Sequence, residues 1–201
     1  MPVHFNKLTG LENLSYFASL YNKTIDYHEL LRRVGLYDAK DQMVGEYSKG
    51  MKIRLNFVRA LLNNPDVLFL DEPTNGLDPM NAKIIKDIIH ELKLQGKTIF
   101  ITTHLMGDVE QLCDQVVFIT KGKISDISSP RDLKLKYGKR ELTIEYLNNK
   151  QREKKIFPME GIGSNQEFIQ LLNHNDIETI HSGETSMEDI FIRVTGEEKY
   201  E

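Results

Sequence analysis

A single cysteine, Cys113, among 201 residues rules out an internal disulfide, so packing and hydrogen bonds must hold this chain together. Cys113 follows Leu112 in a helical stretch, where a small apolar role is the simplest reading. No apolar run reaches the roughly 18 residues that a membrane-spanning helix needs, and Met1–Lys7 lacks the apolar core of a secretory leader. The chain therefore reads as cytoplasmic. Basic charge is not in excess either: the formal charge is −4 and both signs are spread evenly, which excludes the electrostatic footprint of a nucleic-acid binder. Internal repeats and low-complexity tracts are missing. A glycine-rich loop of the form G-x-x-x-x-G-K-[ST], set between a strand and a helix so that backbone N–H groups and a lysine cradle phosphates, is also lacking. Gly96-Lys97-Thr98 comes nearest. It has Glu91 where the first glycine belongs and lies between a helix and a strand, so Gly96 reads as a helix C-cap.

What is present centres on Val67-Leu68-Phe69-Leu70-Asp71-Glu72-Pro73, an apolar run ending in two carboxylates and a proline. Bounded by Asn64-Pro65 and Pro73, it fits a strand covered on both faces, as in a parallel sheet. Ligands bind at the carboxyl ends of such strands. There Asp71 can hold Mg²⁺ on a nucleotide, and Glu72 can orient or deprotonate a water for attack on a γ-phosphate. The plainer alternative is a strand that ends in a solvated Asp-Glu turn.

Three neighbours bear on that choice. Upstream, Tyr47-Ser48-Lys49-Gly50-Met51 opens a helix with Ser48 at its N-cap and Ile53, Phe57, Ala60 and Leu61 at helical spacing. Downstream come Asn75-Gly76-Leu77-Asp78-Pro79, then a second strand over Thr98–Thr103, with His104 past its end. In order and spacing this set resembles the ATP-binding cassette (ABC) ATPases. Tyr47–Met51 resembles their signature loop, departing from the commoner LSGGQ at Tyr47, Lys49 and Met51 but keeping Ser48 and Gly50, as in ATPases that serve ABC-2 type exporters. Val67–Glu72 resembles Walker B, Asn75–Asp78 the D-loop, and His104 the switch histidine.

The resemblance spans roughly Leu8 to Ile124 and implies site roles. Asp71 would ligate Mg²⁺, Glu72 would hold the water and His104 would sense the γ-phosphate of ATP. Ser48 and Gly50 would meet the phosphate of ATP bound on an opposite subunit, and Asp78 would act across that interface. Each also has a plainer role: Ser48 as a helix cap, Asp78 as a turn residue before Pro79, His104 as a histidine satisfied by backbone. Gln111 lies mid-helix, too late in the chain for the family's glutamine loop, and Lys121-Gly122-Lys123 reads as a solvated hairpin turn.

The expected fold is α/β, a P-loop NTPase-like parallel sheet with a helical subdomain over 1–47, a core over 48–130 and a small α+β region over 131–201. In the last region, Glu141–Leu147 alternates like a half-buried strand, a helix is expected around Phe168–Leu172, a strand near Ile177–Ile180, and a closing helix capped by Ser186. Set against the family, the chain begins just after the glutamine loop, without the first third and its Walker A. The resemblance implies a head-to-tail dimer with a second ATP-binding subunit, ATP and Mg²⁺ as cofactors, and a membrane permease as partner at the inner face of the cell membrane. The expected function is the ATP-binding subunit of an exporter, with this chain alone inactive. A non-catalytic or regulatory half-cassette is the alternative, and a soluble ABC-type ATPase of translation or DNA repair a third.

Overall fold

The computed structural model describes residues 4–138, 140–148, 151–183 and 185–196. Two compact units emerge, Met1–Asp108 and Val109–Glu201.

The first unit opens with helix α1 (Gly10–Ala18), where Thr9 Oγ1 accepts from Glu12 N–H at 3.1 Å and the Glu12 carboxylate accepts from Thr9 N–H at 2.7 Å. That reciprocal pair satisfies two of the donors every helix start leaves open. Asp26 caps α2 (Tyr27–Arg33) with its side chain, accepting from the His28 and Glu29 N–H groups. Leu30, Leu31, Val34 and Leu36 are buried as one apolar set, whereas Tyr21, beyond the end of α1, is 43% exposed. Helix α3 (Lys49–Leu61) follows, and its buried face is Leu55, Phe57, Val58 and Leu61, with Ile53 and Ala60 only partly covered.

Strands β1 (Val67–Asp71) and β2 (Thr98–Thr102) pair in parallel with Asp71 opposite Thr102. Parallel pairing needs a crossover, supplied by α4 (Pro79–Leu94). Gly96 stands past the end of α4 at φ +83°, a left-handed value that favours glycine, and Lys97 N–H returns to the Leu92 carbonyl at 3.1 Å. Gly96-Lys97-Thr98 is thus a helix stop.

Coverage of β1 differs from the expectation. Leu68 and Leu70 are buried, but Val67 is 48% exposed and Phe69 75%, and Phe69 stacks on Phe100 at 4.9 Å on an open face. An uninterrupted apolar run suits a strand enclosed on both sides, yet it carries no record of which segment does the enclosing.

In the second unit, which starts within α5 (Met106–Leu112), β3 (Val116–Thr120) and β4 (Lys123–Ser128) form an antiparallel hairpin turning at Lys121-Gly122, both in left-handed backbone. Among the described residues β3 pairs with β4 alone, through the hairpin turn expected at Lys121-Gly122-Lys123. Helix α6 (Pro130–Tyr137) is capped by Ser129. Strands β5 (Glu141–Asn148), β6 (Gln151–Pro158) and β7 (Asp176–Gly183) make an antiparallel sheet in the order β6-β5-β7. Ile144, Tyr146 and Phe157 pack with Leu171 of α7 (Gln166–His174) into its core. Helix α8 (Met187–Thr195) is capped by Ser186, which accepts from Asp189 N–H at 3.1 Å. Among the described residues no helix is long and apolar enough to cross a membrane.

Candidate active site

Glu72 follows the last residue of β1 in left-handed backbone, at φ +48°. For a residue with a Cβ that conformation is unfavourable by about 1–2 kcal/mol, so neighbouring contacts must impose it. They are visible: Glu72 N–H donates to the Thr102 carbonyl at 2.9 Å, extending the β1/β2 ladder by one bond. The twist turns its carboxylate toward the segment after β2. There Glu72 Oε1 accepts from His104 N–H at 3.1 Å and lies 2.7 Å from His104 Nδ1, while Oε2 accepts from Thr103 Oγ1 at 3.3 Å. Glu72 is about one-third exposed and His104 about two-thirds, so the pair faces solvent with His104 outermost.

Asp71 lies opposite Thr102, whose hydroxyl donates to Asp71 Oδ1 at 2.5 Å. Parallel pairing therefore brings Asp71, Glu72 and His104 to one end of the two strands. Thr102 and Thr103 were counted in the sequence only as strand residues, yet each hydroxyl grips one of the two carboxylates. Their signal was two adjacent hydroxyl side chains immediately before a strand-end histidine.

Ser48 caps α3, accepting from Met51 N–H at 3.2 Å. A Cβ added to Gly50 would meet Leu77 Cδ2 at 3.4 Å, and the Lys49 side chain runs over Gly76, which sits at φ +83°. The start of α3 therefore rests on the turn that leads into α4. Asp78 ends this turn as the N-cap of α4, accepting from Met80 and Asn81 N–H at 3.1 and 3.0 Å and from the Asn81 amide at 2.5 Å. Those donors, the Asn81 side chain foremost, hold the Asp78 carboxyl below the usual carboxylate range. Two clusters result, Asp71–Glu72–His104 and Ser48–Gly50–Asp78, with no hydrogen bond joining one to the other among the described contacts.

Comparison with known proteins bears on both clusters. The family model described as ABC transporter matches residues 2–75, and one described as fluoroquinolone efflux ABC transporter C-terminal domain matches 140–184. A fluoroquinolones export ATP-binding protein of Mycobacterium tuberculosis is 48% identical over 198 residues, 98% of this chain and 66% of that protein. This chain belongs to the ABC transporter ATP-binding family. A bacitracin transport ATP-binding protein of Bacillus licheniformis is 36% identical over 180 residues, covering 88% of this cassette chain and 54% of the relative. A solved ATP-binding subunit of an ABC transporter superposes with a TM-score of 0.61 at 29% identity, over 68% of this chain and 59% of that one. The fold class is therefore that of the ABC ATPases. The chain spans less than two thirds of the length of the Mycobacterium relative. Ser48, Gly50, Asp71 and Glu72 fall inside the ABC family match, while Asp78 and His104 lie beyond residue 75.

Proposed function

We propose that the chain forms part of the ATP-binding subunit of an exporter and supplies the hydrolytic face of its nucleotide site. The observation that carries this reading is Glu72 gripped by His104 at the carboxyl end of a parallel strand pair, beside Asp71. An all-oxygen donor set suits a hard cation, and Asp71 is exposed with Thr102 on one carboxylate oxygen only, so this end of the sheet fits Mg²⁺ with a nucleotide phosphate. Bound Mg-ATP would supply the phosphoanhydride to be cleaved and neutralise its charge. Asp71 would hold the metal. Glu72, aimed by Thr103 and His104, would orient a water and take its proton, and His104, more exposed than Glu72, would stand toward the phosphate.

On this reading Ser48 and Gly50 act in trans. The first-turn N–H groups of a helix lack intrahelical acceptors and carry the positive end of its dipole, which suits a phosphate held by a second ATP-binding subunit in a head-to-tail dimer. Asp78, beside them at the start of α4, would line the same dimer interface. Closure on ATP and opening after hydrolysis would drive a membrane permease, placing the chain in the cytoplasm at the inner face of the membrane. A second reading is a regulatory half-cassette that binds a partner without turnover.

The deciding experiment joins the chain to a segment that carries a glycine-rich phosphate loop and measures Mg-ATP turnover. Steady hydrolysis is expected, and Glu72→Gln should lower it about 10²–10⁴-fold while ATP binding persists. Turnover untouched by Glu72→Gln removes Glu72 from the chemistry. No turnover in any joined form favours the regulatory reading.

A further inference from the structure

Within Val109–Glu201 a cavity of about 810 Å³ opens where the end of α5, the start of α6 and the ends of the three-stranded sheet meet. That volume matches sites for small organic molecules. None of the residues assigned to nucleotide chemistry lines it.

Its walls combine two chemistries. Arg131, Lys134 and Arg140 supply positive charge, and Leu135 and Met159 supply apolar surface. Lys134 Nζ lies 3.3 Å from Glu110 Oε2, which offsets that ammonium. Arg131 and Arg140 have no ion-pair partner among the described residues, leaving two guanidiniums against the Asp114 carboxylate on the same walls. Leu135 is 54% exposed and Met159 40%, so apolar area stays uncovered beside those charges. A guanidinium fork is shaped for the two oxygens of a carboxylate. An inorganic anion would leave the apolar wall wet, and a neutral hydrocarbon would leave the guanidiniums unmatched.

We propose that this cavity binds a small organic acid, a carboxylate on an apolar body, held by Arg131 and Arg140 with its body on Leu135 and Met159. The proposal is independent of the nucleotide reading, because its site and its test involve neither ATP nor the residues around Glu72.

The chain carries its own reporter. Cys113, the sole cysteine, is partly buried and lines the cavity, so a bound ligand should shield it. The test alkylates Cys113 of the 201-residue protein with iodoacetamide in the presence of 1-naphthoate, 1-naphthamide or inorganic phosphate. Naphthoate should slow the reaction several-fold, with the neutral amide and phosphate far weaker. Arg131→Gln with Arg140→Gln should raise the naphthoate concentration needed by about tenfold or more, the worth of one charge-assisted contact. In ¹⁵N spectra naphthoate should shift the amides of Arg140, Ser182 and Gly183, a readout independent of thiol reactivity and usable with either single variant if the double one does not fold. Equal protection by the amide, protection retained without the two arginines, or shifts that map elsewhere would overturn the proposal.

Discussion

The Thr74 hydroxyl donates a hydrogen bond to the Asp108 carboxylate 34 residues further on, and both side chains are buried. Lys86 of α4 holds the other Asp108 oxygen at 3.3 Å. One carboxylate thus ties together the turn after Glu72, the helix that Asp78 caps and the segment that follows His104. Because Asp108 is only 8% exposed, water cannot readily replace a lost donor.

Thr74→Val should therefore destabilise the protein by about 1–3 kcal/mol, the usual penalty for stranding a buried polar group, seen as a lower urea midpoint at unchanged slope. Pairing Thr74→Val with Asp108→Leu should recover part of the loss, since removing both partners leaves nothing unsatisfied but Lys86, which is partly open to solvent. A midpoint that does not move in the single variant would show the bond to be dispensable.

ATP should bind these 201 residues weakly and without turnover. Asp71 and Glu72 can meet a metal and a water, but no glycine loop or lysine is present to grip the phosphates. Isothermal titration with Mg-ATP should show no micromolar binding. Micromolar affinity with steady release of phosphate would mean that another part of the chain cradles the nucleotide.

Ser48→Arg distinguishes a cap that acts only within its own chain from one that also faces a partner. In active joined subunits the arginine should block closure on a phosphate held opposite while sparing that subunit's own nucleotide site. Mixed with subunits whose phosphate-loop lysine is disabled, it should restore part of the hydrolysis that neither parent shows, because one composite site in the mixed dimer is intact. With both changes on one subunit and none on the other, each site carries one defect and the dimer should be inactive. Activity that follows only the integrity of a subunit's own site would place Ser48 in cis.

Acid should act on the second unit through Asp126, whose carboxyl is held below its usual range first by the Lys136 ammonium at 2.8 Å and then by the Tyr137 hydroxyl at 2.6 Å. A depressed carboxylate stabilises the fold above its unfolded pKa of about 3.9, and that contribution is lost as pH falls through the lower folded value. Lys136 is raised by the same contact, so its share is complete below about pH 10.4 and is lost only above it. The melting-temperature gap between wild type and Asp126→Asn should thus be widest between about pH 5 and 9 and should narrow below about pH 4. A gap that persists at pH 2 would assign the effect to packing.

The parts of the site that depend on local chemistry were legible. Pro65 and Pro73 bracketed β1, Ser48 marked the start of α3, and His104 was singled out by its place just past a second strand in order with the first. What depended on distant chain was not. Phe69 reads the same whether a helix or solvent lies over it. Thr102, Thr103 and Thr74 escaped notice for a related reason: a threonine in or beside a strand satisfies β preference whether or not its hydroxyl grips a carboxylate.

The left-handed backbone at Glu72 sets a limit on how far the protein can be made more rugged. Glycine or asparagine would adopt φ +48° with less strain, so a screen for heat resistance alone should favour replacing Glu72. Either replacement deletes the carboxylate that His104 and Thr103 grip. If Glu72 has the role proposed above, durability and chemistry compete for one residue, and variants that gain melting temperature by changing position 72 should lose turnover.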